Sequence, residues 1–117
     1  MLNGDNVADI SFYIDGVLDN NSVVGTTPIN TDATTPLRIS RGINNRYIDG
    51  TIDDFRVWDT NLSGATIKEW KNLKLDLSHP NYSNLQLYYE FNEQGSEIED
   101  CSVNGRGASV ILSLIHI

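Results

Sequence analysis

With 117 residues, 39% hydrophobic and 21% charged, the chain has the size and composition of one folded domain with a modest core, not of a disordered segment. Its formal net charge of −8, from 16 acidic against 8 basic residues, argues against a nucleic-acid partner, which would need clustered Lys and Arg. The single cysteine, Cys101, excludes an intrachain disulfide and a thiolate metal centre, and no apolar run is long enough for membrane insertion.

Residues 7–18 alternate in polarity, with Ile10, Phe12 and Ile14 on one face and Ser11, Tyr13 and Asp15 on the other. Asp15-Gly16 fits a two-residue type I′ turn, whose central positions both need positive φ, and Val17 and Leu18 begin the return strand. Residues 19–36, rich in Asn, Thr, Ser and Pro, read as an exposed loop with room for one short strand. Leu37 and Ile39 predict a short strand with Arg38 facing the other way, and a second loop spans Gly42 to Gly50. From Ile52 alternation resumes, with Phe55 and Val57 on one face and Asp54, Arg56 and Trp58 on the other.

Ser63 is a good N-cap for a short helix ending near Leu73, with Leu62 and Ile67 spaced as a hydrophobic staple. Ile67 and Trp70 would press one helix face onto the sheet. A polar connection leads to the cleanest strand, where Leu85, Leu87, Tyr89 and Phe91 alternate with Gln86, Tyr88 and Glu90. Asn92 to Gly95 turns the chain, and Ile98 to Cys101 is expected to return beside that strand. Short strands, Gly/Asn-rich turns and one small helix indicate an all-β antiparallel sandwich.

The order of four pieces carries a family resemblance: Phe12-Tyr13-Ile14-Asp15-Gly16, the Pro36 to Ser40 segment, Gly50-Thr51-Ile52-Asp53-Asp54-Phe55-Arg56-Val57-Trp58, and the Asn61-Leu62-Ser63 helix start. Together they resemble the second half of a laminin-G-like, concanavalin A-like jelly-roll domain. Leu87 to Glu93 and Asp100-Cys101-Ser102-Val103-Asn104-Gly105 also resemble family pieces, ones that commonly open a repeat. The resemblance therefore implies an incomplete jelly roll with one short surface helix near 63–73. Residues 1–73 read as the C-terminal half of a laminin-G-like module and 74–84 as a connection. Residues 85–111 read as the start of a second module or as the closing strand of the same sandwich. Residues 112–117 read either as a non-native tail or as a last strand. A sandwich without its opening strands is expected to fold poorly alone.

The same resemblance implies a non-catalytic binding module of a larger secreted or cell-surface protein, with its export signal upstream. Its partners would be a glycan or an extracellular protein surface, together with neighbouring modules of the same chain. Two rivals stand beside it, a structural spacer or adhesin repeat without its own ligand and a fragment of a jelly-roll glycoside hydrolase.

Candidate sites follow from residue chemistry. Tyr47, in a loop with Asn44, Asn45 and Arg46, is the aromatic best placed to stack on a sugar ring while neighbours bond hydroxyls. Trp58 is a further candidate, although large aromatics more often pack. Asp100-x-Ser102-x-Asn104-Gly105 begins like an EF-hand loop, but Ile111 stands where Glu is required, so it reads first as an Asx-type turn. Should a structural Ca²⁺ bind, Asp53 and Asp100 are the expected ligands. His79 and His116 lack triad or zinc-site partners in the sequence, and no Glu-x-Asp-x-Glu strand occurs, so no enzymatic activity is expected.

Overall fold

A computed structural model of the chain describes residues 6–20, 25, 27–28, 34, 36–41, 44 and 46–110. The proposed tail at 112–117, His116 and the candidate Asn45 lie outside the described residues. The chain divides into two compact units, Met1–Asp49 with Asn61–Tyr82, and Gly50–Thr60 with Ser83–Ile117.

In the first unit, strands β1 (Tyr13–Ile14) and β2 (Val17–Leu18) form the expected antiparallel hairpin, pairing Tyr13 with Leu18 and Ile14 with Val17. Its turn residues Asp15 and Gly16 have φ of 53° and 79°, as a two-residue turn of this hand requires. Asp19 N–H donates to the Phe12 carbonyl at 2.8 Å and continues the ladder. Helix α1 (Gly64–Trp70) begins where the capping residue predicts: Ser63 is extended, at φ −66° and ψ 151°, and its hydroxyl accepts from Thr66 N–H at 3.1 Å. The helix is shorter than expected, and Leu73 N–H closes its end with a 3.2 Å bond to the Trp70 carbonyl.

Helix and hairpin meet through small residues. Gly64 lies against the Tyr13 ring, and Gly16 lies against the Lys68 backbone. Since successive strand residues face opposite ways, packing Tyr13 toward the helix turns Phe12 and Ile14 outward, and both are exposed. The face carrying those two residues is thus not a core face within this unit. Beyond the helix the buried Leu75 and His79 anchor the chain; the His79 ring lies 4.7 Å from the Trp70 ring, and its Nδ1 accepts from Asn81 N–H at 3.0 Å.

The strand expected at Leu37 and Ile39 does not form. Pro36 withholds an N–H, Leu37 is 68% exposed, and Ser40 turns the backbone to φ 70°. Instead an isolated antiparallel bridge joins Arg41 to Tyr47.

The second unit is built on β3 (Phe55–Trp58) and β4 (Leu85–Tyr89), an antiparallel pair with Phe55 opposite Tyr89, Arg56 opposite Tyr88 and Val57 opposite Leu87. The register then shifts between Val57 and Trp58, so that Trp58 pairs with Leu85 and the predicted alternation is broken there. Strand β3 starts at Phe55 rather than Ile52 because Asp54 sits at φ 57°, outside the strand region. Leu85, Leu87, Tyr88 and Tyr89 are all buried, so β4 is covered on both faces. Phe91, at φ 55°, is beyond its end. The return expected at Ile98 to Cys101 is met in part: Asp100 and Cys101 bond β4 at Tyr88, whereas β5 (Glu97–Ile98) pairs antiparallel with β6 (Ala108–Ser109). Gly107 permits this pairing, since a Cβ there would lie 2.9 Å from the Ile98 carbonyl oxygen.

Gly16 gives the sharpest test of the first unit. An added Cβ would stand 2.9 Å from Lys68 Cα, at a φ of 79° that L residues disfavour. Gly16→Ala is expected to destabilise the chain by roughly 1–2 kcal/mol, read from denaturant unfolding. An unchanged midpoint would mean that the hairpin does not pack on α1 in this way.

Candidate functional site

The loop closed by the Arg41–Tyr47 bridge is the most site-like feature of the first unit. Ile48 N–H donates to the Ser40 carbonyl at 3.2 Å and fastens the base of the loop. Within it Asn44 takes a left-handed φ of 63°, a conformation that Asn tolerates better than most residues. Ser40, Arg41, Arg46, Tyr47 and Ile48 line an open depression of about 360 Å³. Arg41, Asn44, Arg46 and Tyr47 are all exposed. Among the described residues an ion pair joins Arg56 to Asp54, and neither Arg41 nor Arg46 pairs with a carboxylate there.

Of the sequence-nominated ligand residues, the structure brings Arg46 and Tyr47 together at this depression, with Asn44 in the same loop. Trp58 belongs to the second unit, half-buried in β3 opposite Leu85. Arg41 and Ser40 were not nominated: Ser40 closed the expected Pro36 to Ser40 strand, and Arg41 lay between that strand and the loop expected from Gly42. One signal could have found them: Arg38, Arg41 and Arg46, three of the chain's eight basic residues, fall within nine positions.

The two nominated calcium ligands differ in their surroundings. Asp53 is exposed, ahead of β3. Asp100 is buried, and its carboxylate accepts three backbone N–H groups: Tyr88 and Ser102 at 2.9 Å on Oδ1, and Arg106 at 2.8 Å on Oδ2. The rest of the motif joins in. Cys101 N–H donates to the Tyr88 carbonyl at 2.8 Å, and Asn104 Nδ2 donates to the carbonyls of Leu85 and Gln86 at 3.2 and 3.1 Å. The Ser102 hydroxyl reaches the Gln86 carbonyl at 3.3 Å. Burial pushes the Asp100 carboxyl up, but the donated bonds from Arg106, Ser102 and Tyr88 outweigh it and hold its pKa below the ordinary 3.8. N–H donors aimed at both oxygens give the Asp100 carboxylate the role of a backbone brace. Among the described residues no three His, Cys, Asp or Glu side chains gather as a metal site.

The family model of the concanavalin A-like lectin/glucanases superfamily, in its laminin-G-like form, matches residues 2–68, more than half of the chain. The chain belongs to this superfamily. Comparisons with curated proteins and with solved structures gave no match. The matched stretch of the concanavalin A-like domain takes in the hairpin, the loop at 40–48, β3 and the start of α1, whereas β4 and the Asp100 motif lie beyond it. Membership and the antiparallel, single-helix architecture agree with the fold class read from the sequence. It also makes the chain, in general terms, a carbohydrate- or protein-binding module. No helix among the described residues is long and apolar enough to cross a membrane.

The Asp100 brace predicts both a mutational cost and its pH dependence. Asp100→Asn places an amide donor against at least one N–H, so it is expected to cost roughly 1–3 kcal/mol at neutral pH. Because the folded pKa lies below the unfolded one, the stabilisation is complete above the ordinary carboxylate range and is lost as pH falls through the folded value. Unfolding midpoints measured from pH 7 down to pH 3 should therefore drop less in the Asn variant than in the parent. Parallel curves for the two proteins would contradict the brace.

Proposed function

We propose that the chain is a non-catalytic, extracellular carbohydrate-recognition module that contacts its ligand through the loop at residues 40–48. One observation carries this reading: an exposed Tyr47, two arginines and the Ser40 position surround a single open depression. A tyrosine ring offers an apolar face to the C–H side of a sugar, and guanidinium and hydroxyl groups supply directional bonds to its hydroxyls. An open depression suits a glycan that must be gripped from one side. The superfamily match, which covers the loop, supports binding as the general role. The absence of a paired-carboxylate strand in the sequence supports the non-catalytic part of the reading.

The β3–β4 pairing, reinforced by the Asp100 motif, supports treating residues 85–111 as the closing part of the same domain. On this reading recognition through the loop needs no calcium. The melting temperature is expected to be the same in excess Ca²⁺ and in chelator. A calcium-dependent rise that disappears in Asp53→Ala with Asp100→Ala would reinstate those residues as ligands.

Tyr47→Ala provides the test of the loop. It is expected to abolish or weaken by about tenfold or more the binding of the chain to its glycan on an array, while leaving the thermal midpoint within about 2 °C of the parent. That separation follows because Tyr47 is exposed, and exposed positions contribute little to stability. Unaltered glycan binding by the variant would remove the loop from the site. No glycan binding by the parent would favour the spacer reading.

A further inference from the structure

The turn that follows Asp100 carries a chemically labile group among the donors that hold it to β4. We infer that Asn104 is a site of spontaneous deamidation, and that its conversion to aspartate or isoaspartate irreversibly releases the edge of β4 that its amide closes. Asn104 is followed by Gly105, whose backbone nitrogen has no side chain beside it to shield it. Space around Gly105 is open, since a Cβ built there would meet no atom within 4 Å apart from its chain neighbours. Its φ of 61° is left-handed, and both residues are exposed. The two reacting groups are thus adjacent, unobstructed and in reach of water, the only co-reactant.

The reaction balances without an oxidant. The Gly105 backbone nitrogen attacks Asn104 Cγ, the Cγ–Nδ2 bond breaks, and the nitrogen's proton leaves with Nδ2 as ammonia. Water then opens the five-membered imide at one of its two carbonyls. One opening gives aspartate; the other routes the main chain through the side chain as isoaspartate. Either way NH2 is exchanged for OH, a gain of about 1 Da.

The fold both restrains this step and suffers from it. Asn104 Nδ2 donates to the Leu85 and Gln86 carbonyls at 3.2 and 3.1 Å, and its N–H donates to the Ser102 hydroxyl at 3.3 Å. Attack needs the amide to leave those acceptors, so local opening of the turn sets the rate. The product cannot resume the contact. A carboxylate has no hydrogen to donate and would face two carbonyl oxygens, with the Asp100 carboxylate in the same turn. The buried Leu85 loses the donor that Asn104 gave its carbonyl, and a freed strand edge is open to pairing with another chain.

The test ages the full chain in mildly alkaline buffer, native and in concentrated urea, and maps its peptides by mass spectrometry. The peptide holding Asn104 is expected to gain about 1 Da and split into two products, of which the isoaspartate one accepts a methyl group from an isoaspartyl methyltransferase. Conversion should be slower in native buffer than in urea. Peptide mapping separates it from Asn3-Gly4, the chain's other Asn-Gly pair, which lies outside the described residues. Gly105→Ala should slow conversion several-fold in urea, where the fold plays no part. Asn104→Asp, which reproduces one product, is expected to lower the thermal midpoint by roughly 4 °C or more. Should that variant fail to fold, the converted fraction of the aged parent, separated by anion exchange, is melted instead. An unconverted Asn104 in native buffer, while the urea sample reacts, would overturn the modification site. A parental midpoint in the converted chain would overturn the release of the β4 edge.

Discussion

Strand β4 is the most buried segment of the described chain, and a buried strand has two edges to satisfy. One edge is taken by β3. The other is closed not by a strand but by the turn that begins at Asp100. A single carboxylate accepts the Tyr88 N–H while gathering the turn's own N–H groups at Ser102 and Arg106. The Cys101 N–H and the Asn104 amide answer carbonyls along the same strand. An unpaired strand edge invites pairing with another chain, so this side-chain closure also guards against association. It places a charge in a buried setting, which is stable only because each carboxylate oxygen meets a donor. Tyr89 extends the closure, since its hydroxyl donates to the Arg106 carbonyl at 2.6 Å. The turn is thus tied to β4 from both backbone and side chain.

The features legible in the sequence are those decided by neighbours in the chain. Asp15-Gly16 names its turn because two consecutive positive φ values suit few residue pairs. Ser63 names the helix start because its hydroxyl needs only the N–H three residues on. The alternation through Leu85 to Tyr89 names a strand. Where reading and structure part, the backbone does something its residue type does not announce. Ser40, Asp54 and Phe91 all carry positive φ without being glycine, and they respectively turn the chain after 39, delay β3 and lie beyond β4. The partner of β5 was equally hidden, because the pairing of Glu97 and Ile98 with Ser109 and Ala108 depends on a glycine at 107 that admits the close approach.

The candidate site was half legible for the same reason. Tyr47 and Arg46 stand out as an aromatic and a cation in an Asn-rich loop. Arg41 did not, because its role depends on a bridge across the loop rather than on its immediate neighbours. Trp58 was nominated by residue type, and the register shift in β3 sets it opposite Leu85. His79 was set aside for lack of a motif, yet it is buried against Trp70 and organises the turn after α1. Beside it, the Asp76 carboxylate accepts from the hydroxyl and then the N–H of Ser78; these bonds, with the nearby imidazole, hold its pKa below the ordinary value.

The arginines divide by use, and that division links folding to recognition. Arg56 is paired with Asp54, and its guanidinium lies 5.4 Å from the centre of the Tyr88 ring, so its charge is spent within the β3–β4 pair. Arg106 gives its N–H to Asp100 and its carbonyl to Tyr89, with its side chain reaching Gln86 at 3.4 Å. Both serve the fold. The loop arginines line an open surface instead, held there by a bridge and by one backbone bond at the base of the loop. Charges that a fold does not neutralise cost it little at the surface, since solvent and salt screen them within about 8 Å. A chain that pairs Arg56 with a carboxylate inside its second unit, and ties Arg106 to the fold through its backbone, leaves Arg41 and Arg46 exposed on the loop, where their charge is open to solvent.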